Sequence, residues 1–100
     1  MNKAENLLLE GAEENNLSKV ALALNLGADV DTKFQNKNEA LHIASAHDTL
    51  EVAEFLIAHG GDLNQKNKWG ETPLKRMVEK NSLTVIKLLT QFGTHPLYDK

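Results

Sequence analysis

Apolar residues return along this chain at two spacings at once. At short range they follow a helical rhythm. Between residues 50 and 57, Leu50, Val52, Ala53, Phe55, Leu56 and Ile57 cover almost two faces of a helix, as expected for one sandwiched between neighbours. At long range the same positions recur every 33 residues. Leu8, Leu41 and Leu74 keep this step, as do Leu17, Leu50 and Leu83. Val20, Ala53 and Ile86 follow, then Leu22, Phe55 and Leu88, then Ala23, Leu56 and Leu89. Gly27, Gly60 and Gly93 hold the same register, and no gap is needed anywhere. A fixed step of this length marks a repeat architecture.

Each unit has one internal grammar. In the third, Thr72-Pro73 opens a helix: Thr suits the N-cap, and Pro suits the first helical position, where its missing N–H costs nothing. That helix is expected to run through about Lys80. The chain should then reverse at Asn81, as at Asp48 in the second unit and Asn15 in the first, because Asn and Asp tolerate the left-handed conformation. A second helix follows, with Ser18 and Ser82 read as residues that begin and cap it. Gly60 and its equivalents supply the stop. A polar connection, Asp62 to Gly70, then leads to the next unit. The expected fold is all-α: about three helix-turn-helix units, residues 6–38, 39–71 and 72–100, in one domain. They should stack roughly 10 Å apart, with Leu17, Leu50 and Leu83 sharing one buried seam.

A 33-residue period with two short helices is that of the ankyrin family, which the chain resembles in its motifs as well. Gly70-Glu71-Thr72-Pro73-Leu74 is similar to the family's G-x-T-P-L opening, and Ala40-Leu41-His42-Ile43-Ala44 to P-L-H-x-A with its Pro replaced. Gly27-Ala28-Asp29-Val30-Asp31 and Gly60-Gly61-Asp62-Leu63-Asn64 resemble G-A-D-V-N. The resemblance covers about residues 6–93. Departures fall at the two ends: Asn6-Leu7-Leu8-Leu9 and Lys19 in the first unit, and Lys75-Arg76 and Met77-Val78 in the third. They read as caps of a small, complete stack, because end units have one face in water.

The resemblance implies a binding module whose partners meet the loop tips and the exposed side of each first helix. By position this gives Asn2, Lys3, Glu5, Glu13 and Glu14 in unit one. It gives Gln35, Asn36, Asn38, Ala46 and His47 in unit two, and Lys68, Trp69, Glu71, Glu79 and Lys80 in unit three. Trp69 is the residue expected to carry binding, since Trp is enriched at hot spots and this one sits in a polar loop. The competing reading folds its ring back over the stack. Phe34, at the equivalent loop base, reads as structural. The resemblance also implies that His42 makes a structural hydrogen bond to the neighbouring turn.

Charge is unevenly placed. The net charge is −3. Residues 1–31 hold two Lys and six acids, residues 32–65 two Lys and five acids, and residues 66–91 six Lys/Arg and two acids. An acidic total argues against general nucleic-acid binding. The basic cluster Lys66, Lys68, Lys75, Arg76 and Lys80 fits either an acidic partner or a solvated end face.

Little in the sequence speaks for catalysis. With no Cys, disulfides, thiolate nucleophiles and cysteine-ligated zinc are removed together, and a reducing compartment fits. His42 and His47 are five residues apart and so lie off one helix face, which argues against a metal site. Ser18, Ser45 and Ser82 lack a surrounding motif, and Ser45 holds a small-residue position. Neither a phosphate-binding glycine loop nor a stretch of the length needed to cross a membrane is present. The expectation is therefore a cytoplasmic, non-enzymatic protein without cofactor, monomeric in isolation, that binds another protein as adaptor, inhibitor or neutraliser. The alternative is self-assembly, with the acidic first unit of one copy stacked on the basic last unit of another.

Overall fold

The computed structural model describes residues 1–47 and 50–91. Among these it contains helices and loops and no strand. The helices are α1 (Lys3–Glu14), α2 (Leu17–Asn25), α3 (Ala40–Ala44), α4 (Glu51–Ala58) and α5 (Pro73–Gln91), with one 3-10 turn at Gln35–Lys37.

The first helix starts on a reciprocal cap. The Asn2 side chain accepts from the Glu5 backbone N–H at 2.8 Å, and the Glu5 carboxylate accepts from the Asn2 N–H at 2.9 Å. Its buried residues, Ala4, Leu8, Gly11 and Ala12, lie at helical spacing on one face. The chain then reverses at Asn15, which takes the left-handed conformation (φ 54°, ψ 43°) anticipated for it. Asn16 caps α2 by accepting from the Lys19 N–H at 3.1 Å. The expectation for Ser18 is corrected here: it lies inside α2, because Asn16 occupies the cap position first.

The reversal brings α1 and α2 very close. A Cβ added to Gly11 would sit 2.6 Å from Val20 Cγ2 and 2.9 Å from the Val20 backbone nitrogen. Only glycine fits that crossing. One repeat later the equivalent pair is Ala44 and Ala53, both fully buried. Small residues again let two helices approach.

In the third unit the expected reversal at Asn81 does not occur, and α5 is one continuous helix from Pro73 to Gln91. The equivalent close pair is now Met77 and Ile86. Two large side chains cannot occupy a gap that elsewhere admits Gly/Val or Ala/Ala, and overpacking of this kind is unfavourable. With no Gly or Pro between Lys80 and Leu83, the helix simply continues. The shared seam therefore breaks in this unit. Leu17 is half-buried and Leu50 buried, but Leu83 is 78% exposed; likewise Val20 and Ala53 are buried while Ile86 is 59% exposed. Asp48, Gly93 and the side chains of Leu88 and Leu89 lie outside the described residues.

The register of the first helices holds throughout: Leu8, Leu41 and Leu74 are all buried. α1, α3 and α5 form one layer, α3 packing on both its neighbours, and α2 and α4 form a second layer behind α1 and α3. The core joins Leu8, Val20, Ala23, Leu41, Val52, Leu56 and Met77. Fully burying a Leu of this kind stabilises by about 1.5–3 kcal/mol. Two repeated devices end the second helices. Gly27 and Gly60 take φ of 101° and 98°, and Asp29 and Asp62 each accept, through Oδ1, from the N–H two residues on at 2.8 Å. No helix among the described residues is long and apolar enough to cross a membrane.

Candidate functional site

Two loops project from the first-helix layer: finger one, residues 34–38, and finger two, residues 67–71. They are hydrogen-bonded to one another. The Lys68 N–H donates to the Asn36 carbonyl at 2.8 Å, and Asn67 Nδ2 donates to Asn38 Oδ1 at 2.9 Å.

Asn67 is the hub of finger two. It is buried, and every polar atom of its amide has a partner. Its Oδ1 accepts from the Trp69 and Glu71 N–H groups, both at 3.0 Å, while Nδ2 also donates to Glu71 Oε1 at 3.1 Å. Arg76 Nη2 reaches the same Glu71 oxygen at 3.0 Å. The hydrogen bond from Asn67, and then the Arg76 guanidinium, hold the Glu71 carboxyl below the usual carboxylate value. Glu71 is thereby engaged within the finger.

His42 fixes the same finger from below. It is fully buried on α3; its Nδ1 accepts from the Glu39 N–H at 3.0 Å and its Nε2–H donates to the Glu71 carbonyl at 3.0 Å. This is the structural hydrogen bond expected of it. Those two roles assign a neutral ring. Burial also holds its pKa below the ordinary histidine value. The equivalent positions are Leu9 and Lys75, so finger two alone is anchored by an imidazole.

Finger one is held differently. Phe34 is buried, in keeping with its structural reading, and the buried Glu39 accepts from Lys33 Nζ at 2.6 Å. Asn36 and Lys37 take φ of 64° and 61°.

The remaining candidates divide by contact. Gln35 is exposed, and Asn36 and Asn38 are half-buried in the link between fingers. Together with Leu9, Glu13, Phe34 and Ile43 they line a depression of about 180 Å³. His47 is half-buried, and its ring Nε2–H donates to the Ala12 carbonyl at 2.9 Å, tying unit two to the end of α1. Lys68, Glu79 and Lys80 are exposed, and Lys80 and Glu79 line a depression of about 340 Å³ with Ala46 and Arg76. Trp69 is 59% exposed although its backbone is pinned. Its ring does not fold back over the stack. Asn67 and the link between fingers were not singled out from sequence. The signal available was the Asn-Lys-Trp-Gly turn, in which a leading Asn is well placed to bond its own backbone.

No group of three or more His, Asp or Glu residues converges as metal ligands among the described residues. The arrangement is a hydrogen-bonded finger bearing an exposed apolar ring, beside a helix face with shallow depressions.

Comparison with known proteins agrees with this architecture. A family model described as ankyrin repeats, in three copies, matches residues 8–98. The chain is similar to potassium channel AKT2/3 of Arabidopsis thaliana, at 32% identity, covering 94% of this chain and 12% of the channel. It resembles the mitochondrial liver-isoform glutaminase of Rattus norvegicus, at 32% identity, covering 91% of the chain and 15% of the enzyme. It also resembles the B-cell lymphoma 3 protein homolog of Mus musculus, at 36% identity, covering 67% of the chain and 15% of that protein. The chain spans a fifth or less of the length of the curated relatives it matches. Repeats of this kind form a protein–protein interaction module. With period, paired helices, anchored fingers and family model in agreement, the chain belongs to the ankyrin-repeat family.

Proposed function

We propose that this chain is a non-catalytic binding module that blocks or adapts one specific partner protein through finger two and the open flank of α5. The observation that carries the reading is Trp69. Its ring stands in water on a loop that Asn67, His42 and Arg76 hold in one shape. A large apolar ring on a pre-ordered loop loses little freedom on binding and removes much apolar surface from water. Core packing would have hidden it. Lys68, Glu79 and Lys80 lie on the same end of the molecule and would form the polar rim, and Gln35, Asn36 and Asn38 would extend the contact along finger one. The absence of Cys suits action in a reducing, cytoplasmic setting.

Affinity capture from native lysate tests the reading. The wild-type chain should retain one stoichiometric partner, and Trp69→Ala should lose it while keeping the wild-type circular dichroism spectrum. Undiminished capture by Trp69→Ala would remove finger two from the account.

A further inference from the structure

The contact end of the molecule has a charge sign of its own. Residues 1–65 carry four Lys and eleven acids, whereas residues 66–91 carry six Lys/Arg and two acids. One of those two acids, Glu71, is already engaged by Asn67 and Arg76. Lys66, Lys68, Lys75 and Lys80 are exposed around finger two and the first turns of α5.

Apolar surface lies among these lysines. A depression of about 310 Å³ is lined by Thr72, Leu74, Lys75, Val78 and Glu79, with Val78 exposed on the helix. It adjoins the depression at Ala46, Arg76 and Lys80, and the two meet at Glu79. Lys75, Val78 and Glu79 are neighbours on one helix face, being three and four residues apart.

We infer that the partner segment received here is acidic and carries an apolar anchor, such as a Leu or Phe flanked by Asp and Glu. This rests on the protein-binding reading given above and names the chemistry of its ligand. An acidic segment is attracted to this end alone and repelled by the other two units, so the field fixes both where and in which direction it docks. The anchor enters beside Val78 and Leu74 while its carboxylates face Lys75 on the same helix face, and Lys66, Lys68 and Lys80 add to the attracting field around it. Nucleic acid fits less well. A phosphate chain needs a continued basic track, and here the basic surface ends at units whose exposed residues include Glu13, Glu14, Asp29, Asp31 and Asp62.

Fluorescence anisotropy with defined probes decides the matter. The probes are a Glu-rich peptide with two Leu four residues apart, its Lys-rich counterpart, the Glu-rich peptide with both Leu changed to Ala, and a short oligothymidylate. The Glu/Leu peptide should bind on the order of tenfold tighter than any other at low salt and weaken as salt is added. The surface variant Lys75→Glu/Lys80→Glu should reverse the preference between the Glu and Lys peptides, and Glu79→Lys should sharpen it. Equal binding of all peptides, no peptide binding, or preference for the oligonucleotide overturns the inference. If the captured partner is still lost in Trp69→Ala but retained in Lys75→Glu/Lys80→Glu, protein binding at this end stands and the acidic ligand falls. If Trp69→Ala retains the partner, the underlying reading falls instead.

Discussion

Lys37 sits where the next repeat has Gly70, and both have positive φ, 61° and 77°. For a residue with a Cβ that conformation costs free energy, whereas glycine adopts it freely at an entropic cost of its own. Lys37→Gly should therefore stabilise the chain by roughly 0.5–1 kcal/mol, read from urea melts. A destabilised variant would mean that the lysine side chain does something the backbone does not reveal. His42 gives a sharper test, because its direction with pH is fixed. Burial holds its folded pKa below the ordinary 6.5, so the unfolded chain takes up the proton first. Stability from this residue is complete above about pH 6.5 and falls as the pH drops toward the folded value. Melts at pH 7.5 and pH 5.5 should show this loss in the wild type and a smaller one in His42→Gln; parallel losses would remove the imidazole as its source. Glu71, also depressed, contributes in a lower window, below the ordinary carboxylate value of 4.5. At this scale the sequence was partly legible. The P-L-H-x-A resemblance placed His42, because its motif is local. Asn67 was not found, because its importance lies in four hydrogen bonds made by one amide, one of which reaches Asn38 in the other finger, a contact between repeats that no local motif displays.

Helices follow from period, but their pairing follows from volume. The spacing of Leu8, Leu41 and Leu74 correctly marked one buried position in three units, since those side chains need only a neighbouring first helix to cover them. The second-helix positions carry a further condition. Their burial requires the hairpin to close, and closure requires a small pair at the crossing. Gly11 with Val20 meets that condition, as does Ala44 with Ala53; Met77 with Ile86 does not. Apolar residues at the right step were thus insufficient to bury Leu83 and Ile86. The substitution of Met77-Val78 for small residues was visible in the sequence. Its consequence, a straight α5, depends on how closely α1 and α2 cross, which no spacing reveals. Capping followed the same logic. From the sequence, Ser18 is the residue expected to cap the second helix, whereas Asn16, two residues earlier, takes the cap. A change in the fully buried Leu41, which serves α3 and the core joining both layers, should be severe: Leu41→Ala is expected to cost about 2–5 kcal/mol in urea melts. A loss below about 1 kcal/mol would contradict the packing described for the first-helix layer.

For the molecule as a whole, the two layers differ in what they do. The first-helix layer runs unbroken from α1 through α3 to α5 and carries both fingers, so the candidate binding face does not depend on the second-helix layer being complete. The break at Leu83 and Ile86 changes the back of the third unit and leaves finger two and the first turns of α5 in place. The acidic first two units and the basic third give the stack an electrical direction that screening by salt should weaken. With only three units, each interface carries a large share of the stability. The surplus of lysine, finger two and the apolar depression at Leu74 and Val78 lie in residues 66–80, and the back of the third unit takes its form from α5 continuing past Asn81. Because the chain has no Cys, spin labels placed through Lys75→Cys and Thr90→Cys report on that helix without interference. A straight α5 predicts a single separation near 22 Å between the two backbone sites, about fifteen residues at 1.5 Å each. A separation collapsed toward about 10 Å, the spacing of two packed helices, would show the hairpin closed and contradict it.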